Sequence, residues 1–168
     1  MKKNLLSFIV VVAVIFSACA QQKKTTKSSV VKTKGTNSAI QFIAMERTPC
    51  FGSCPAYRLE IYKDGTVKYD GWSSVEYDGL YQKKFDAAKV AALYKRFEEY
   101  PVDTCSELYE SLIQDVPGVN FYFTYKGKEQ KIINAHFGPE YFLQLANETD
   151  SFSKVDNTWT KLEEPKKD

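Results

Sequence analysis

Histidine is nearly absent from this chain: among 168 residues there is one, His136. That leaves little material for the nucleophile and base arrangements that need an imidazole, and no G-x-S-x-G, H-E-x-x-H or S-x-x-K occurs. The eight glycines are scattered and form no phosphate-cradling loop. Carboxylates are plentiful, yet no two stand at a spacing that marks a glycosidase couple. Internal repeats are missing. The longest apolar run, Leu5 to Phe16, covers about a dozen residues where a bilayer core needs about 20. These absences argue against an enzyme and against a bound cofactor, and none is expected.

What is present begins with a leader. Met1-Lys2-Lys3-Asn4 is positive, Leu5 to Phe16 is apolar, and Ser17-Ala18 supplies small residues, so residues 1–18 read as a cleavable signal peptide. Phe16-Ser17-Ala18-Cys19 resembles the lipobox of bacterial lipoproteins, with Phe16 in place of the usual Leu. The resemblance implies a diacylglycerol thioether and an amide-linked, palmitate-class acyl chain on Cys19, and hence permanent attachment to a membrane. The alternative is a conventional cut at the Ala-x-Ala-like Ser17-Ala18-Cys19-Ala20, with Cys19 incidental. Ala20-Gln21-Gln22-Lys23-Lys24 carries neither an Asp after the cysteine nor an acidic stretch. By the same resemblance the expected location is the cell envelope, on the outer membrane facing the periplasm.

Charge divides by segment. The whole chain has 23 Lys and Arg against 21 Asp and Glu. Lys2 and Lys3 lie in the leader, and Lys23, Lys24, Lys27, Lys32 and Lys34 lie in residues 19–38, which hold no acid. The remainder therefore carries 16 basic against 21 acidic groups, a net of about −5. Residues 19–38, rich in Lys, Thr, Ser and Gln, read as a flexible basic tether. An acidic body does not suit nucleic acid, which requires a clustered basic face.

One domain is expected over residues 39–162, followed by a disordered tail at 163–168. Ala39 to Arg47 is a strand-like run, and Tyr57 to Ile61 alternates apolar and charged positions as a half-buried strand does. Asp64-Gly65 is read as a type I′ hairpin turn into Thr66 to Gly71, and Val75 to Phe85 as a fourth strand or a loose return. Asp86 caps a helix running to about Glu99, with Val90, Leu93 and Phe97 as its buried stripe. A hairpin joins Val119–Tyr125 to Glu129–His136 through Lys126-Gly127-Lys128. Pro139 then opens a second helix, with Phe142, Leu145, Phe152, Val155, Trp159 and Leu162 at helical spacing. The fold expected is α+β: an antiparallel sheet of about five to six strands with two helices packed on one face.

The conspicuous motif is Thr48-Pro49-Cys50-Phe51-Gly52-Ser53-Cys54-Pro55-Ala56-Tyr57, between the first two strands. With Asp64-Gly65 after it and Asp115-Val116-Pro117 ahead of the second hairpin, the chain resembles an uncharacterised bacterial family of secreted and lipid-anchored proteins. That family is a domain of unknown function with the signature T-P-C-x-G-x-C-P-x-Y, and the likeness spans roughly residues 40–160. It implies no activity.

In an oxidising compartment Cys50 and Cys54 suit a disulfide closing a tight loop, with Gly52 expected to supply a positive φ and Pro49 and Pro55 stiffening its ends. Two sharper readings use the same loop. A thiol/disulfide redox site has against it a spacing of three residues instead of two and strands instead of a helix N-terminus. A metal site would draw on Cys50, Cys54, Cys105 and His136 but lacks paired knuckles. Cys105 is left over as a buried inert thiol, an intermolecular bridge or a reactive group. A binding or assembly module fits best. Phe51, Gly52 and Ser53 form a possible binding loop, and alternation should put some of Tyr62, Tyr69, Trp72, Tyr77, Tyr81 and Tyr122 on the sheet face away from the helices. A protein or glycan partner in the envelope is expected.

Overall fold

The computed structural model describes residues 38–163 except residue 114. The expected signal peptide, Cys19, the expected tether and all but the first residue of the expected tail lie outside the described residues. Seven strands form one antiparallel sheet: β1 Ile40–Arg47, β2 Ala56–Tyr62, β3 Thr66–Ser73, β4 Gly79–Lys84, β5 Val119–Tyr125, β6 Lys128–Ile132 and β7 Thr160–Lys161. Their order is β6-β5-β1-β2-β3-β4-β7, and the helices are α1 Ala87–Glu98 and α2 Tyr141–Asp150. Among the described residues no helix is long and apolar enough to cross a membrane.

Period-two alternation sorts the side chains. Ile43 and Met45, Leu59 and Ile61, Val67 and Tyr69, and Phe121 and Phe123 are buried beneath the helices. Phe97 of α1 meets Phe121 edge-on at 5.3 Å, and Phe142 of α2 meets the same ring at 6.0 Å, so one phenylalanine joins both helices to the sheet. Asp86 caps α1 as expected, its carboxylate accepting from the Ala88 N–H. The Tyr94 hydroxyl donates to the Ile61 carbonyl at 2.7 Å, tying α1 to β2.

Several local expectations change. The second helix stops at Asp150, and Phe152 and Trp159 are buried from an irregular segment instead. The Ser153 hydroxyl donates to the Asp150 carbonyl at 2.9 Å, occupying an acceptor at the helix end. The chain then lays Trp159 against Phe85 and Tyr69 and adds β7 to the edge of β4. This is why the sheet has more strands than expected. Asp64-Gly65 is not a type I′ turn: only Gly65 has a positive φ, of 91°, in a loop of Lys63, Asp64 and Gly65. The Gly65 N–H donates to the Tyr62 carbonyl at 2.9 Å and Asp64 accepts from the Thr66 N–H, the pattern of a turn followed by a left-handed residue. A Cβ on Gly65 would stand 2.5 Å from the Phe85 carbonyl oxygen. Both central residues of the two-residue loop Lys126-Gly127 have positive φ, 48° and 78°, so the type I′ conformation belongs to the second hairpin.

Candidate functional site

The Cys50–Cys54 loop springs from the end of the sheet where β1 finishes, β2 begins and β5 begins. Thr48 and Gly118 fasten that end: the Thr48 N–H donates to the Gly118 carbonyl at 3.1 Å, and the Gly118 N–H donates to Thr48 Oγ1 at 2.7 Å. A Cβ at Gly118 would stand 2.6 Å from Thr48 Oγ1, so this approach requires glycine.

Cys50 and Cys54 stand at disulfide distance, with Cα atoms 5.5 Å apart. Both flanks of the ring are held by one carboxylate. Arg47, three residues before Cys50, pairs with Asp150 at 2.6 Å, and the Tyr57 hydroxyl, three residues after Cys54, donates to Asp150 at 2.5 Å. Burial, then the adjacent Asp150 carboxylate, pushes the Tyr57 hydroxyl well above the usual tyrosine range, so it remains a donor at neutral pH. The ring thus sits on a base cross-braced to the end of α2.

Gly52 has no positive φ, contrary to the sequence expectation. A Cβ there would meet only Cys50 Sγ, at an ordinary 3.7 Å. The ring is closed without a left-handed residue, and the glycine leaves its outer side uncovered beside Phe51 and Ser53. Phe51 is 93% exposed. The loop from Pro101 to Gly118 returns to the same end of the sheet and exposes Leu112 fully and Ile113 to 64%. Behind the ring, an open cleft of about 480 Å³ is lined by Pro55, Tyr57, Tyr69, Val75, Tyr77 and Val155.

The sheet face away from the helices is different in kind. Tyr62, Trp72 and Tyr122 do lie on it, whereas Tyr69 and Tyr81 face the helix side and Tyr77 packs on Tyr81 at 5.8 Å. Arg58 lies over the Tyr122 ring at 4.7 Å while its guanidinium reaches Glu60 at 3.3 Å and Glu46 at 3.7 Å. The Tyr62 hydroxyl donates to Glu60 and its ring packs on Phe42. Arg58, Glu46, Glu60 and Tyr62 thus satisfy one another on this face.

The four residues of the metal reading are not gathered. Cys105 Sγ contacts the Tyr141 hydroxyl at 2.9 Å and the Pro101 carbonyl at 3.3 Å, and the Val119 N–H donates to His136 Nδ1 at 3.2 Å. Among the described residues no group of three or more His, Cys, Asp and Glu is placed to hold a metal ion. His136 Nε2 is buried and has no hydrogen-bond partner among the described residues. Desolvation, with Arg47 adding to it, holds the imidazole below its usual pKa.

Sequence reasoning singled out the ring but not Leu112, Ile113 or the Asp150 brace. The first two look like core in a linear reading, and the brace joins residues 93 and 103 apart. The model of the family described as Domain of unknown function (DUF6438) matches residues 41–153. None of the curated proteins matches the chain.

Proposed function

Since the chain belongs to the DUF6438 family, whose description carries no activity, we propose from the site itself that it is a binding module whose rigid Cys50–Cys54 ring presents Phe51 to a partner. One observation carries this reading: a phenylalanine 93% exposed at the tip of a braced, covalently closed loop. A lone exposed apolar side chain is ordinary on a protein surface. One on a ring whose flanks share a half-buried carboxylate brace is pre-ordered, and pre-ordering reduces the entropy lost on binding. An aromatic anchor of this kind suits the centre of a protein interface.

The reading includes an address. It is supported by the leader and by Phe16-Ser17-Ala18-Cys19: the module is lipidated on Cys19 and held at the envelope, with the outer membrane facing the periplasm as its site. The partner is then an envelope protein or glycan, reached from a membrane-attached leash.

A photo-crosslinking residue at position 51 of the full, membrane-attached chain tests the reading in intact envelopes. The expected result is one adduct of discrete mass that is absent when the same residue replaces Lys128, an exposed position on the far hairpin. Equal and diffuse labelling from both positions would sink it. Phe51→Ser should leave unfolding stability within about 0.5 kcal/mol, because the side chain is exposed.

A further inference from the structure

We infer that two copies of this chain pair antiparallel through the open edge of β6, with Glu129 of each copy opposite Lys131 of the other. An edge strand presents unpaired N–H and C=O groups, a template for another strand. At the opposite edge the sheet ends in β7, which is only two residues long. The β6 edge has five residues, Lys128–Ile132, and is bounded at both ends. At one end stands the Lys126-Gly127 turn. At the other, the Ile133 N–H donates to the Glu107 carbonyl at 2.8 Å and the Tyr109 N–H donates to the Ile133 carbonyl at 3.1 Å, so the preceding loop closes the edge beyond Ile132. Those two bonds also fix which groups face outward. Backbone direction alternates along a strand, so with Ile133 turned away from β5, Lys131 and Glu129 are turned away as well, and Gln130 and Ile132 are turned toward it. Among the described residues the outward N–H and C=O groups of Glu129 and Lys131 have no backbone partner.

The occupant follows from charge and register. Lys128, Glu129 and Lys131 are exposed, and none of them takes part in an ion pair among the described residues. Charges on an edge repel an arbitrary strand, so the partner must match them. Outward groups pair only with outward groups, which leaves few registers for an antiparallel copy. Centred on Glu129, the pairing sets glutamate against glutamate; centred on Lys131, it sets lysine against lysine, and like charges directly opposite are destabilising. Centred on Gln130, each Glu129 faces a Lys131, and the outward N–H and C=O groups of the two residues bond to one another. Glu129-Gln130-Lys131 is thus complementary to itself about a two-fold axis through Gln130, the signature of an isologous contact. Glu129 and Lys131 stand beside Thr124 and Tyr122, on the sheet face away from the helices. The two sheets become one, with the helices of both copies on the same face. The contact is small beside stable interfaces, which bury about 1,200 Å² or more, so the dimer is weak and forms where the chain is concentrated. The inference does not depend on Phe51 meeting a partner.

Cysteine scanning on the full chain tests it, with mild oxidation by oxidised glutathione and peptide mapping to count only links between introduced cysteines. Residues opposed in a non-hydrogen-bonded antiparallel pair stand about 4.5 Å apart at Cα, within disulfide range. Gln130 forms such a pair with itself across the axis, so Gln130→Cys should give a disulfide-linked dimer whose yield rises with protein concentration. Glu129→Cys and Lys131→Cys each place the thiol opposite a different residue and should give about fivefold less. In the Gln130→Cys chain, Lys131→Glu or Glu129→Lys should each lower the yield about threefold, by setting like charges face to face. Mixing those two variants should restore it as a dimer of one of each, a rescue that misfolded variants could not produce. Equal yields at positions 129, 130 and 131, or no restoration on mixing, would overturn the pairing. A Gln130→Cys chain joined chiefly to a different protein would assign the edge to that protein and overturn it equally.

Discussion

At the residue scale, the ring is the feature whose loss is simplest to foresee. Closing about five residues contributes on the order of 2 kcal/mol in the chain-entropy account, against a typical total of 5 to 15 kcal/mol for a domain. Cys50→Ser/Cys54→Ser should therefore fold, with a thermal midpoint lowered by roughly 5 to 10 °C in calorimetry. Non-reducing peptide mapping should recover Cys50 linked to Cys54, with Cys105 unlinked. Gly52→Ala should be nearly neutral, since the position has ordinary φ and room for a methyl group. His136 makes a second prediction. Its Nδ1 accepts from the Val119 N–H, which requires the neutral ring, and its folded pKa is lowered by burial and by Arg47. The unfolded chain then takes up the proton first, so stability present above about pH 6.5 is lost as pH falls through that value toward the folded pKa. Because it is the chain's single histidine, this slope between about pH 7 and 5 should flatten in His136→Gln when midpoints are measured across pH.

At the element scale, the two hairpins exchange the turn types that their sequences suggest. Asp-Gly is a favoured type I′ pair, yet the first hairpin places only Gly65 in the left-handed region, because its loop has a third residue and the strand register of β2 and β3 demands it. Lys126-Gly127 takes the type I′ form although lysine is poorly suited to φ of 48°. Lys126→Asn should therefore stabilise the domain by about 0.5 kcal/mol, read as a small rise in the denaturant midpoint with unchanged slope. Gly65→Ala should destabilise by more, through both its φ and the carbonyl of Phe85. The second helix shows the limit of periodicity from the other direction. Phe152, Val155, Trp159 and Leu162 keep a helical spacing, but an irregular strand-returning segment buries Phe152 and Trp159 just as well.

At the scale of the whole molecule, the expected layering holds: an antiparallel sheet with its buried face under two helices. The proposed membrane address rests on residues outside the described ones and is tested on the intact protein. Intact-mass analysis of membrane-purified material should show a mature N-terminus at an acylated Cys19, and a mature start at any other residue would remove the lipoprotein reading. Cys19→Ala should leave the domain folded and release it from the membrane, or leave it unprocessed, in fractionation of cell extracts.

What the sequence determined by itself is local and repetitive: the alternation of Leu59 and Ile61 against Arg58 and Glu60, the cap at Asp86, the stripe of Val90, Leu93 and Phe97, and the two cysteines flanked by prolines. Each depends on neighbours a few residues away, which a linear reading contains. The tertiary structure alone decided the rest. It chose Asp150 to brace Arg47 and Tyr57, left Leu112 and Ile113 outside the core, and let Gly118 close on Thr48. These depend on which distant segments share an end of the sheet, and no local propensity encodes that, because the energy that selects it comes from burying the two helices together against Phe121.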